Sequence, residues 1–190
     1  MITSEATQVG SLVTRLDDAV AAGSVEAVTC KVKDVLTDLL SSGGLQLPER
    51  YHGSRPECYA RRLLHRDPDL RYSVVVMTWG PGQGTPLHDH SGMWCVEAVA
   101  KGRMEVTQFH KLEENGSRCR FQEAGRINAG PGSSGSLIPP YEYHILQNSF
   151  DDTSSITVHV YGGEMDHCSS FVPDEDGWHR RQEKPLAYHD

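Results

Sequence analysis

Along the first part of the chain, apolar residues recur every three or four positions: Leu12, Leu16 and Val20, then Val28, Val32, Val35, Leu36, Leu39 and Leu40. That period marks one face of a helix. It predicts two helices, Ser11 to Ala22 and Val25 to Leu40, the second ended by Gly43-Gly44 as a C-cap. Both are expected to pack on the outside of a larger body. A short third helix is expected over Glu57 to Leu64, stopped by Asp67-Pro68.

From Tyr72 the pattern changes. YSVVVMTW, residues 72–79, is short and rich in β-branched residues, which reads as a buried strand. After the turn GPGQGTP come WCVEAVA (94–100), RMEVTQFHKL (103–112) and SRCRFQEAG (117–125) as further strands. GSLIPP, YHILQN and SSITVHVYGG supply three more, and Lys101-Gly102 makes a turn. GRINAGPGSSG, residues 125–135, is glycine-rich but lacks the GK[ST] ending of a phosphate cradle, so it reads as a loop. Short strands about 8–12 residues apart with glycine turns predict a sandwich or barrel. The expected fold is an all-β core with N-terminal helices: one domain over 1–190, with a helical extension over 1–45 packed on a barrel over 70–175.

A chain of 190 residues suits one sizeable core. Its formal charge of −8 argues against a nucleic-acid partner, which needs a basic face. The N-terminus lacks the basic start and apolar run of a secretion signal, and no apolar run is long enough to cross a membrane. Five cysteines, an odd number widely spaced with no CxxC pair, suit free thiols in a reducing cytoplasm. A structural zinc site is not expected. Oligomeric state is left open.

The stretch PLHDHSGMWC, Pro86 to Cys95, carries the chemistry. With a strand period of two, His88 and His90 point the same way and can share one metal. His144 and His159 lie in later strands. His52, His65, His110, His167, His179 and His189 show no pattern. HxH alone is weak, because a histidine is more often a surface or hydrogen-bonded core residue. The frame strengthens it: Gly82, five residues, His88-x-His90, four residues, Cys95, six residues, Gly102. That is the spacing of the first cupin motif, with Cys95 where an acidic residue usually stands. Pro139, His144 and Asn148 supply part of the second motif, with Tyr141 at its glycine position. Together they predict a metal-binding, cupin-type (jelly-roll) β-barrel. Three neutral imidazoles leave a dipositive metal its full charge and open positions. A ferrous ion there could take a substrate and O2, and a zinc ion could activate water.

YARRLL, TWGPGQGTPLHDH, Cys95 and the pairing of His144 with HVYGGEMDHC resemble, as a set, the type I cysteine dioxygenases, which are cupin-fold thiol dioxygenases. The resemblance runs from about Tyr59 to Cys168. It implies an Fe(II) enzyme that adds both atoms of O2 to a small thiol substrate, giving a sulfinic acid. By resemblance His88, His90 and His144 are the iron ligands. Cys95 and Tyr161 are the pair that forms a thioether, and His159 orients the Tyr161 hydroxyl. Arg61 holds the substrate carboxylate, with Arg62 as its rival, and Tyr59 and Trp79 line the pocket. Read alone, Cys95 is a small buried strand residue, Tyr161 a core tyrosine and Arg61 a surface ion-pair residue. His167 and Cys168 face opposite ways on one strand, so no site is expected there.

Departures bear on the substrate. Gly162-Gly163-Glu164 replaces a Ser-Pro-Pro run of the mammalian members, and Trp94 stands where they have histidine. Mercaptopropionate-oxidising bacterial relatives carry glycine at the cysteine position and glutamine at the arginine position. Cys95 and Arg61 therefore set this chain with the arginine type. L-cysteine is the expected substrate, with 3-mercaptopropionate or mercaptosuccinate as the alternative. A zinc or nickel hydrolase or isomerase, and a non-catalytic metal- or ligand-binding cupin, remain as readings of other classes.

Overall fold

The structure, a computed structural model, describes residues 5–150 and 152–189. It opens with two helices, α1 (Glu5–Val20) and α2 (Val25–Ser41). Ser24 caps α2, its hydroxyl oxygen accepting the Ala27 N–H at 3.2 Å. The strands are β1 (Ala60–Arg66), β2 (Ser73–Trp79), β3 (Leu87–His88), β4 (Cys95–Lys101), β5 (Met104–Asn115), β6 (Arg118–Ala129), β7 (Ser134–Leu137), β8 (His144–Asn148), β9 (Ser155–Tyr161), β10 (His167–Pro173) and β11 (Trp178–Pro185). They pair antiparallel in two sheets. One has five strands in the order β1-β2-β9-β4-β7; the other closes as a ring, β10-β11-β6-β5-β8-β3. This is the expected all-β, cupin-type core with N-terminal helices. Among the described residues no helix is long and apolar enough to cross a membrane.

The five-stranded sheet is covered on both faces. Val75, Met77 and Trp79 of β2 pack inward with Met104, Val106 and Leu146 of the ring. Val74, with Val96, Val158 and Val160, packs outward against Leu12, Leu16, Val32 and Leu36 of the helices. Burial on both sides is why YSVVVMTW shows no alternation. Each fully buried Leu in that layer stabilises the fold by roughly 1.5–3 kcal/mol.

Three expectations are corrected. Residues 60–66 are not helical: they pair along the edge of β2, from Ala60 opposite Thr78 to Arg66 opposite Ser73. An open sheet edge offers this segment a partner for its backbone, which overrides the helical look of ARRLL. Residues 125–129 are not loop but the end of β6, with Ala129 opposite Met104; the turn is tight, Ser133 N–H to the Gly130 carbonyl at 2.9 Å. The strand β11 was not expected either. WHRRQEKP is polar and mostly exposed, so β11 carries no apolar signal.

β3 is only two residues long, yet it closes the ring. His88 is opposite Ser170 of β10 on one side and His144 of β8 on the other.

Candidate metal centre

That double pairing puts His88 and His144 side by side, with His90 just past the end of β3. The ring centroids are 4.4 Å apart for His88 and His144, 5.0 Å for His90 and His144, and 5.4 Å for His88 and His90. One nitrogen from each ring falls within 4.8 Å of the other two. His88 Nδ1 donates to the Pro86 carbonyl at 3.1 Å, and His144 Nδ1 to the Glu142 carbonyl at 2.9 Å. The Nε2 lone pairs are thereby left free, and buried His144 Nε2 has no hydrogen-bond partner. Burial, then the neighbouring His144, lowers the His88 pKa to about 3, so that ring stays neutral. Converging lone pairs in a dry site are unfavourable unless a cation takes them up. The donor set therefore fits a dipositive metal.

Glu142 orients two of these rings. Besides its carbonyl on His144, its carboxylate accepts the His90 backbone N–H at 2.9 Å and lies 3.5 Å from His90 Nδ1. Burial pushes the Glu142 pKa up to about 7. Asp89, between the two histidines, accepts N–H bonds from Ser169 at 2.8 Å and Ser91 at 3.2 Å, pinning this turn to β10.

The five-stranded sheet supplies the opposite wall. Across β4 and β9, Cys95 is opposite Tyr161 and Glu97 is opposite His159. Opposed residues share a face, so all four point inward. Cys95 and Tyr161 are both buried, and burial raises the pKa of both. Trp79 Nε1–H donates to the Thr157 hydroxyl at 2.9 Å, leaving that hydroxyl to donate to His159 Nε2 at 2.7 Å. The proton of His159 then sits on Nδ1, 3.6 Å from Glu97 Oε2. Its ring lies parallel to Tyr161, centroids 6.0 Å apart and 13° between planes. The same Glu97 oxygen is 3.6 Å from His144 Nε2 and has no hydrogen-bond partner. Burial acts to raise the Glu97 pKa, but the His144 and His159 rings outweigh it and hold the carboxyl below its usual range.

A small cavity of about 20 Å³ joins the three histidines to Tyr59, Arg61, Trp79 and Tyr161. Arg61 is 2% exposed. Its Nη2 donates to the Met165 carbonyl at 2.5 Å, while Nε and Nη1 have no partner. Its guanidinium sits 4.5 Å over the Tyr188 ring. A buried cation with two unpaired donors is costly until an anion meets them. Arg62, next along β1, lies beside Gly53 instead. Tyr59 packs on Trp79, centroids 4.4 Å apart, and burial pushes its hydroxyl pKa up to about 12.

Two features of the wall were not expected. His167 is exposed and Cys168 buried, as alternation requires, but that places Cys168 in the cavity wall rather than outside any site. Beyond β11, Leu186 also lines the cavity. The next residues are tied to β1: His189 N–H donates to the Arg61 carbonyl at 2.7 Å and its Nδ1 accepts the Arg61 N–H at 3.0 Å. For Cys168 the parity signal was present in the sequence; for Glu97 it was its two-residue offset from Cys95. Nothing local marked Glu142 or Leu186.

The family model described as cysteine dioxygenase type I matches residues 6–174. Cysteine dioxygenase type 1 of Rattus norvegicus is 21% identical over 121 residues, and that of Danio rerio 24% identical over 117 residues. Each match takes 60% of this chain and 55% of the relative, so the chain spans about half the length of the curated relatives it matches. Among solved structures, a Thermus thermophilus protein, TT1209, is similar with a TM-score of 0.48 and 17% identity, covering 63% of this chain and 96% of that one. An oxalate oxidase in complex with the substrate analogue glycolate has a TM-score of 0.46 and 19% identity, covering 63% and 59%.

Proposed function

Because the chain belongs to the cysteine dioxygenase type I family, we propose that it is a mononuclear non-haem iron thiol dioxygenase. Its substrate in this reading is L-cysteine and its product cysteine sulfinic acid, by R–SH + O2 → R–SO2⁻ + H⁺. One observation carries the reading: three imidazoles and the unpaired donors of a buried arginine meet in a single cavity.

His88, His90 and His144 would hold Fe(II), which when bound would supply open positions and a reversible one-electron couple through which the thiol sulfur passes its electrons to O2. Arg61 fixes the substrate carboxylate through Nε and Nη1, a two-pronged contact that orients the thiol toward the histidines. Tyr59 and Trp79 wall the space and exclude water. Tyr161, joined to Cys95, presents its hydroxyl to the reacting end, and His159, held by Thr157, keeps the Tyr161 ring in place. The free thiols of all five cysteines are in keeping with a reducing cytoplasm.

A second reading keeps the chemistry and takes 3-mercaptopropionate. Among the described residues no carboxylate lines the cavity to pair with an ammonium group, and 3-mercaptopropionate has none to satisfy. Mercaptosuccinate is less favoured, since Arg61 is the one arginine on the wall for its two carboxylates. The test is oxygen uptake by iron-loaded protein with cysteine, cysteamine, 3-mercaptopropionate and mercaptosuccinate. One O2 consumed per cysteine, with sulfinate formed, is expected. Faster turnover of 3-mercaptopropionate would move the substrate. No uptake with any thiol, despite bound iron, would overturn the dioxygenase reading.

A further inference from the structure

A larger cavity, about 80 Å³, lies between β4 and β7 of one sheet and β5 and β6 of the other. Val99, Met104, Val106, Ala129 and Leu137 make most of its wall apolar. At its inner end are Glu97, Leu146 and Thr157. Leu146 also lines the histidine cavity, Thr157 bonds His159, and Glu97 lies against His144. The two spaces are thus separated by single side chains. At the outer end Ile127 is 58% exposed and Gly135 is exposed.

The two reactants of a thiol dioxygenase make different demands on the protein. In the dioxygenase reading a carboxylated thiol anchored by Arg61 takes the place beside the three histidines, Tyr59 and Trp79. O2 is small, uncharged and apolar, and apolar cavities stay dry and take up such guests, xenon among them. We propose that the larger cavity is the oxygen antechamber: O2 enters past Ile127 and Gly135 and passes Leu146 to the histidine cluster, by a route separate from that of the thiol. The assignment of O2 as guest rests on the dioxygenase reading. The affinity of the cavity for a small apolar gas does not.

Gly135 provides the plug. It is opposite Glu97 across β4 and β7, so a side chain there points as Glu97 does, into the cavity. A Cβ built on it meets nothing within 4 Å, and its backbone is outside the left-handed region. Gly135→Ala, Gly135→Val and Gly135→Leu then fill the space in steps.

The experiment uses the iron-loaded enzyme, with xenon NMR shifts and steady-state kinetics in which O2 and thiol are varied separately. The wild type is expected to bind xenon and Gly135→Leu to lose it. The KM for O2 is expected to rise on the order of 3–10-fold in Gly135→Leu and less in Gly135→Val, with the thiol KM unchanged. If Gly135→Leu does not fold, the two smaller variants carry the same comparison. A wild type that takes up no xenon overturns the proposal. So does an unchanged KM for O2 in a variant that has lost xenon, or an equal rise in the thiol KM. Absence of uptake with every thiol defeats the dioxygenase reading and the oxygen assignment together, and the xenon shifts, independent of turnover, tell that outcome from failure of the antechamber alone.

Discussion

Cys95 and Tyr161 are register partners across β4 and β9, both buried on the inner face of the sheet. Directly opposed residues hold their Cβ atoms about 4.5–5.5 Å apart, a span that one sulfur attached to the tyrosine ring can bridge. Joining them removes two hydrogens, with O2 as the oxidant. Protein turned over with iron, thiol and O2 is therefore expected to lose about two mass units in a denatured intact-mass spectrum, and Cys95→Ala to lose none. Identical behaviour of the two proteins would show that no thioether forms.

Arg61→Gln removes the charge and the fork but keeps a polar side chain of similar reach. A charge-assisted contact contributes roughly 1.5–3 kcal/mol, so kcat/KM for carboxylated thiols should fall on the order of 10–150-fold. Cysteamine, which has no carboxylate, should be little affected. Arg62→Gln should leave both substrates nearly unchanged. Steady-state kinetics on the two variants decides between the neighbouring arginines.

Glu142→Ala keeps the backbone carbonyl that orients His144 and removes the carboxylate that orients His90. Loss of such a supporting contact typically weakens metal binding about 10–100-fold. Competition against a chelator, with the folded state followed by circular dichroism, measures this. An affinity equal to wild type would mean that His90 is positioned by packing alone.

Asp67 accepts three bonds from Arg71, from its backbone N–H and Nε at 3.0 Å and from Nη2 at 2.7 Å. Those bonds to Arg71 lower its pKa from 3.8 to about 2. A carboxyl with a depressed folded pKa contributes its stability above the unfolded value and loses it as pH falls through the folded one. The Tm gap between wild type and Asp67→Asn should thus be constant above pH 4 and close between pH 4 and 2. Arg71 also holds Asp17 of α1 at 2.6 Å, so the same variant should loosen the helix. A gap that stays constant through the acid range would rule out the ion pair as its source.

Much of this architecture was legible where the signal is local. α2, β2 and β9 were read from dense apolar spacing, and His88, His90 and His144 from motif spacing that brought them to one point. Where pairing partners decide, the sequence was silent. ARRLLHR looks helical until the edge of β2 is there to receive it, and WHRRQEKP becomes a strand only because β10 and β6 flank it. In the sequence Glu97 is marked only by sharing the strand parity of Cys95, and Glu142 by nothing local. Their importance comes from burial against imidazoles contributed by other strands, a relation between distant positions that no local pattern encodes.

The tie between His189 and Arg61 has a practical side. The polypeptide leaves β11 across the histidine cavity, with Leu186 in its wall and Tyr188 on the Arg61 guanidinium. Whatever is fused after residue 189 therefore starts at the rim of that cavity, whereas α1 lies behind the opposite face of the five-stranded sheet. A purification handle or fluorescent reporter belongs on the amino-terminal side; on the other it crowds the segment that covers Arg61 and the three histidines.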